Sequence, residues 1–160
     1  MITNIVFVEF SKWQVVEDEQ RKNYRKKLIV LFGIGSFLCL CLAPFSHIYI
    51  KALFQRGAFV EEDTIRVAAL CSIYLLKMPF VMASLLAGTL IKSFQLNSFF
   101  LKAGVLGIGL NIAGNYALSH FFGVNGIAVS TVVLYFFLAV YSNLFVYLNI
   151  FENERVGKYA

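Results

Sequence analysis

The stretch LIVLFGIGSFLCLCLAPFSHIYI, residues 28–50, runs for 23 residues without a charged side chain. An α-helix rises about 1.5 Å per residue, so a helix of this length exceeds the hydrocarbon core of a bilayer, which is about 30 Å thick. A β-strand in a protein core is much shorter, about 5–6 residues. The stretch therefore predicts a helix that crosses a membrane.

Three similar runs follow it along the chain. They cover residues 64–91, 103–122 and 126–151, and the only charged residues in them are Arg66 and Lys77. Of the 160 residues, 59% are hydrophobic and only 14% are charged. Soluble domains are about 45–50% apolar and about 25% charged. We therefore expect an all-α integral membrane protein with four transmembrane helices in a partial bundle.

Basic residues are distributed unequally between the two sides of the membrane when the chain crosses it four times. The side with both chain ends has ten lysines and arginines, whereas the other has three, beside the acidic residues at 61–63. Because basic residues are retained on the cytoplasmic side, we expect both ends in the cytoplasm. This gives a leader with a basic helix at 1–27, a bundle at 28–151 and a cytoplasmic tail at 152–160.

The sequence contains no pattern that predicts catalysis or metal binding. Motifs of serine hydrolases, zinc proteases, phosphate-binding loops and dinucleotide sites are absent, and His47 and His120 are isolated. The three cysteines lie inside apolar runs, which is typical of free cysteines that act as small apolar residues. We expect no enzyme activity, no cofactor and no metal. The basic residues flank the apolar runs, so they do not indicate nucleic acid.

Two prolines lie inside predicted spans. Pro44 is in the first span and Pro79 is in the second. Proline removes a backbone donor and collides with the preceding turn, so we expect a kink at each position.

Small and polar residues share one face of the third predicted span. Gly104, Gly107, Asn111, Asn115 and Ser119 are spaced by three or four residues. Small residues allow close helix approach, and asparagine can form hydrogen bonds between helices. The favoured interpretation is a packing contact, and the alternative is a face that lines a polar cavity. Either one suggests that more protein lies against these four helices.

Lys77 is the only ionisable residue near the middle of a span. A lysine at that depth costs about 2.5–3.5 kcal/mol on insertion scales, so it should face protein or water. It shares a stripe with Tyr74, Ser84 and Gly88. Two interpretations have equal weight: a cation on the pathway of an anionic substrate, or a lysine that bends toward an interface or pairs with a helix-end carbonyl. The candidate pathway residues are therefore Lys77, Ser84, Asn111 and Asn115.

Four segments resemble a known family. They are VFVEFSK at 6–12, LFQRGAF at 53–59 with EEDT at 61–64, KSFQLNS at 92–98, and LNIAGNYALSHFFGVNGIAVST at 110–131. Together they are similar to the C-terminal half of the MurJ/MviN-type lipid II flippases, in the multidrug, oligosaccharidyl-lipid and polysaccharide exporter superfamily. Arg56 and Gly57 carry the loop motif of this resemblance. Glu9 departs from the family, which usually has proline there, and Lys77 lies where a small residue is expected.

The resemblance implies a two-lobed fold of about fourteen helices, of which this chain supplies something like the ninth to twelfth. It implies transport of lipid II by alternating access in the bacterial inner membrane, for peptidoglycan synthesis. The expected partners are the bilayer, a lipid-linked oligosaccharide, and either the missing N-terminal helices as a separate chain or a second copy. No substrate-binding arginine can be carried over, because those lie largely in helices absent from this sequence.

Other functions remain open at this stage. Within the superfamily they are an O-antigen or capsule polysaccharide flippase and a drug exporter. From a different class, the chain could be a small membrane scaffold protein without transport activity.

Overall fold

The computed structural model describes residues 18–55 and 59–152, and within these ranges every regular element is helical. The α-helices are α1 (Asp18–Leu42), α2 (Ser46–Phe54), α3 (Glu61–Leu75), α4 (Met78–Ser93), α5 (Ser98–Phe122) and α6 (Val124–Val146). A 3₁₀ turn at Ala43–Phe45 joins α1 to α2, and a π-helical turn at Tyr147–Phe151 extends α6. The all-α prediction is confirmed for this part of the chain.

Both prolines lie where a helix is interrupted. Pro44 is in the 3₁₀ turn, and Pro79 is in the first turn of α4, shortly after α3 ends at Leu75. Proline cannot donate the hydrogen bond that a continuing helix requires at its position. The α-helix is therefore interrupted near each proline, and the first two predicted spans each consist of two helices.

Three helical stretches of the described chain are long and apolar enough to cross a bilayer: Glu19–Phe54, Glu61–Ser93 and Val124–Phe151. The remaining predicted span, residues 103–122, lies in α5, whose 25 residues are sufficient in length. Its mean hydropathy is lowered by Lys102, Asn111, Asn115, His120 and four glycines. The prediction of four spans is thus confirmed for three, and α5 departs from it in composition but not in length.

One glycine connects α5 to α6. Gly123 has a φ of 57°, a conformation that residues with a Cβ atom rarely adopt. Gly126 then packs directly on the carbonyl of Leu118, where a Cβ atom would collide with the backbone. This short turn makes α5 and α6 antiparallel neighbours.

The bundle is organised around α6, which packs against α3, α4 and α5, while α1 packs on α4 and α2 packs on α3. The buried core lies mainly where α1, α4 and α6 meet. Its members are Tyr24, Leu86, Ala87, Leu90, Ile91, Phe99, Val146, Ile150 and Phe151. Phe80 of α4 also joins the three helices, because its ring centroid lies 6.0 Å from that of Phe32 and 5.3 Å from that of Phe136.

Large apolar side chains remain exposed on the outer surface of every α-helix. They include Ile29, Ile48, Ile65, Leu85, Ile112 and Val133. A soluble monomer rarely exposes apolar patches on this scale. A bilayer would cover them with hydrocarbon, so the surface agrees with the composition in indicating a membrane protein.

Candidate functional site

Lys77 lies at the junction of α3 and α4, inside the apolar stretch Glu61–Ser93. It immediately precedes α4, and its carbonyl accepts a hydrogen bond from the N–H of Val81 at 2.9 Å. The side chain is half-buried. The helix break therefore places a lysine near the start of a short helix within the membrane stretch.

The ammonium group of Lys77 contacts two aromatic rings. Its Nζ atom lies 5.0 Å from the ring centroid of Tyr74 in α3 and 5.3 Å from that of Tyr135 in α6. Both distances are within the range of about 6 Å in which a cation is attracted to a ring face. Within residues 18–55 and 59–152, no carboxylate lies within ion-pair distance of this nitrogen. The rings therefore hold the charge without neutralising it.

Ser84 lies two turns after Lys77 on α4. Its hydroxyl donates to the carbonyl of Val81 at 3.0 Å, a bond within the helix. The hydroxyl proton of Ser84 is therefore engaged within the helix, and its oxygen can still accept a hydrogen bond. Gly88, the next member of the predicted stripe, lies against the ring of Phe100, which a Cβ atom would approach to 3.7 Å.

Asn111 and Asn115 form a pair on α5. Nδ2 of Asn115 donates to Oδ1 of Asn111 at 2.8 Å. Oδ1 of Asn115 is buried and accepts no hydrogen bond within the described part of the chain. In the same ranges, no hydrogen bond joins either asparagine to Lys77 or Ser84. The four predicted residues are therefore two separate groups, Lys77 and Ser84 at the start and in the middle of α4, and Asn111 and Asn115 on α5.

Gly107 of the same row and Gly114 beside it lie at the contact between α5 and α6, whereas a Cβ atom at Gly104 would meet no atom within 4 Å. A Cβ atom at Gly107 would touch Leu138, and one at Gly114 would lie 2.5 Å from Oγ of Ser130. These close approaches agree with the packing interpretation of the row.

Arg56 and Gly57, the predicted loop motif, lie outside the described residues. The acidic residues that follow, Glu61, Glu62 and Asp63, form the first turn of α3. Asp63 accepts a hydrogen bond from the N–H of Val60 at 3.2 Å. The carboxylate of Glu61 lies 3.0 Å from both Nε2 of His47 and Nζ of Lys51. These exposed pairs connect α2 to α3.

A polar link between α1 and α6 was missed from the sequence. The hydroxyl of Tyr24 donates to Oδ1 of Asn143 at 2.7 Å. The guanidinium of Arg21 donates to the carbonyl of Phe151 and lies 5.7 Å from the ring centroids of Tyr147 and Phe151. The available signal was Asn143, an amide within a long uncharged run, whereas Arg21 was counted only among the basic residues of the leader.

Gly35 is a second residue that sequence reasoning missed. It is buried against the start of α4, where an added Cβ atom would lie 2.7 Å from Cα and 2.9 Å from N of Pro79. Only a glycine permits this approach of α1 to α4, and the contact holds the helix that begins beside Lys77.

Chemically, these groups can attract an anion. In the part of the chain that the structure describes, no group of three or more His, Cys, Asp or Glu residues could hold a metal ion. The charge of Lys77 lies beside the first turn of α4, where the helix dipole also favours negative charge. The partners of this cation are neutral rings, so an anionic group would not have to displace a carboxylate.

The family described as Lipid II flippase MurJ matches residues 1–150. Comparisons with curated proteins and with solved structures give no match. The match covers nearly all of the 160 residues, and it agrees with both the resemblance of the sequence segments and the apolar helices. The chain belongs to the MurJ family of lipid II flippases.

Proposed function

We propose that this chain forms part of one lobe of a flippase that moves lipid II, a lipid-linked peptidoglycan precursor, across the inner membrane by alternating access. Its helices form one wall of a cavity, and helices beyond the described ones complete that cavity. The role is transport and not catalysis. Lys77 is the group that attracts the diphosphate of the substrate, and Ser84 offers a hydroxyl oxygen two turns further along the chain. Asn111 and Asn115, the separate pair on α5, are a second group of candidate polar contacts.

The observation that carries this proposal is the charge of Lys77, held by Tyr74 and Tyr135 without a carboxylate in the described residues. Ionisable residues within membrane stretches are expensive and commonly mark a substrate pathway. A purely structural lysine is expected to pair with a carboxylate or a carbonyl. A cation restrained by ring faces keeps its attraction for an incoming anion.

The interrupted helix supports the same role. Transporters often build their binding sites where a membrane helix is broken, because the N-terminal end of the second half points positive charge at an anionic group. Here α3 ends at Leu75 and α4 begins at Met78, with Lys77 between them. Movement of one lobe against the other would alternately expose this break to the two sides.

The family match favours the lipid II branch over the O-antigen, capsule and drug-exporting branches. For orientation, we propose that both ends of the chain are cytoplasmic, because ten of the basic residues then lie on the inner side. The proposed domain limits are a leader at 1–27, a bundle at 28–151 and a tail at 152–160, with Arg21 and Tyr24 of the leader packed on the bundle.

The test is lipid II transport by proteoliposomes that contain the complete flippase, with Lys77→Ala and Lys77→Arg. We expect Lys77→Ala to lower the rate roughly tenfold, equivalent to about 1.4 kcal/mol, while Lys77→Arg retains part of it. Lys92→Ala is the matched control, because its ammonium also lies over a ring, 5.5 Å from the centroid of Phe100, but at the end of α4. Wild-type transport by a stably inserted Lys77→Ala protein would contradict the proposed role.

A further inference from the structure

The outer face of α1 combines two lysines with a row of apolar side chains. Lys22, Lys26, Ile29, Gly33, Phe37 and Leu40 lie on one face, because their spacings are four, three, four, four and three residues. We call this face the lysine–apolar strip. It is turned away from the bundle, since the buried positions of the same helix are Tyr24, Gly35 and Cys39.

The apolar part of the strip is among the most exposed surface of the molecule. Ile29 is 71% exposed, Phe37 66% and Leu40 74%. A Cβ atom added to Gly33 would find no atom within 4 Å, so this residue leaves a shallow depression between the larger side chains. Such a surface suits an acyl chain that lies along the helix.

The charged part of the strip lies at the end of the apolar row. Lys22 and Lys26 are exposed and lie beside Glu19 and Asn23 on the same helix. Two lysines and one glutamate make this end of the strip net positive. Arg25 is also exposed beside it, whereas Arg21 is directed into the bundle toward the carbonyl of Phe151.

We propose that the lysine–apolar strip binds an anionic phospholipid of the surrounding leaflet, with the phosphate at Lys22 and Lys26 and an acyl chain along Ile29, Gly33 and Phe37. The shape and charge of the strip match the two parts of that molecule. Each lysine or arginine beside a membrane helix strengthens the binding of an anionic headgroup about fivefold. This inference is independent of transport and of Lys77.

The experiment uses the 160-residue chain in nanodiscs that contain equal amounts of phosphatidylglycerol and phosphatidylcholine, with native mass spectrometry of the lipids that stay bound. We expect enrichment of phosphatidylglycerol by roughly 5- to 25-fold, from about fivefold for each of the two lysines. Lys22→Gln with Lys26→Gln should abolish most of it. The matched control, Lys92→Gln with Lys102→Gln, removes the same charge elsewhere and should preserve it. Equal retention of both lipids, or the same loss in the control, would overturn the proposal.

Two further arms identify the ligand. Gly33→Leu fills the depression without changing the charge, so it should also reduce phosphatidylglycerol retention; unchanged retention would contradict acyl-chain binding. Millimolar inorganic phosphate should not displace the lipid, and displacement would instead indicate a site for free phosphate. A dimer that excludes lipid from α1 would show that a second copy covers the strip. Circular dichroism confirms that each variant keeps its helical content.

Discussion

Two helix contacts in this bundle depend on glycine, but they differ in what the glycine touches. At the α1–α4 contact, Gly35 faces the backbone of Pro79. At the α5–α6 contact, Gly114 faces the side chain of Ser130, and an added Cβ atom would lie 2.5 Å from Oγ but 3.6 Å from Cβ of that serine. Backbone cannot move without shifting a helix, whereas a hydroxyl can be removed by one substitution. Gly35 therefore tolerates no side chain, and Gly114 tolerates one if its partner becomes smaller.

The largest effect is expected at the backbone contact. Gly35→Ala should lower the free energy of unfolding by about 2–3 kcal/mol, because overpacking that displaces backbone typically costs about 1–3 kcal/mol. The measurement is unfolding by SDS titration in mixed micelles, followed by circular dichroism. Gly33→Ala is the control, since it lies on the same helix with no atom within 4 Å of the new Cβ. Equal stability of the two variants would mean that α1 does not approach Pro79 this closely.

At the side-chain contact we expect a smaller and reversible effect. Gly114→Ala should destabilise the protein by about 1 kcal/mol, at the lower end of overpacking costs. Combining it with Ser130→Ala should restore most of the loss, because the remaining Cβ contact of 3.6 Å is ordinary packing. A double-mutant cycle in the same unfolding assay measures the coupling. Additive effects of the two substitutions would exclude the proposed contact.

The smallest effect concerns a position where glycine is missing. The end of α4 forms a Schellman motif, in which the N–H of Leu96 donates to Ile91 and that of Gln95 donates to Lys92. Gln95 has a φ of 56°, which glycine adopts at lower cost. Gln95→Gly should therefore stabilise the protein by about 0.5–1 kcal/mol. Gln95→Ala keeps the Cβ atom and should not stabilise the protein. If both variants were more stable than the wild type, the effect would come from removing the side-chain amide and not from the backbone conformation.

The sequence predicted the helices better than their partners. Apolar runs and prolines are local signals, so the helical stretches and the interruptions at Pro44 and Pro79 followed directly from them. A packing face on α5 was also predictable, because Gly104, Gly107, Asn111 and Asn115 repeat at helical spacing, but the spacing did not indicate that α6 is the partner. The prediction for α5 was less complete. The glycines and asparagines that let α5 pack closely also lower its mean hydropathy below that of the other three predicted spans.

The contacts between distant helices were not predictable. Residue spacing shows which side chains share a face of one helix, but it does not show which other helix packs against that face. Nothing near Gly35 indicates that Pro79 will lie against it. The position of Lys77 was clear, but its contact with Tyr135 depends on how α3, α4 and α6 pack. Arg21 lay in a segment that reads as a solvated basic helix, yet its acceptor is a carbonyl 130 residues away.

The bond from Arg21 to the carbonyl of Phe151 also sets an order of events during biosynthesis. At about 5–20 residues per second, a ribosome needs roughly 6–26 s to synthesise the residues between them. During that interval the start of α1 lacks this acceptor. Closure of the bundle at this end is therefore a late step, and earlier helices must be accommodated by the insertion machinery or by lipid until then.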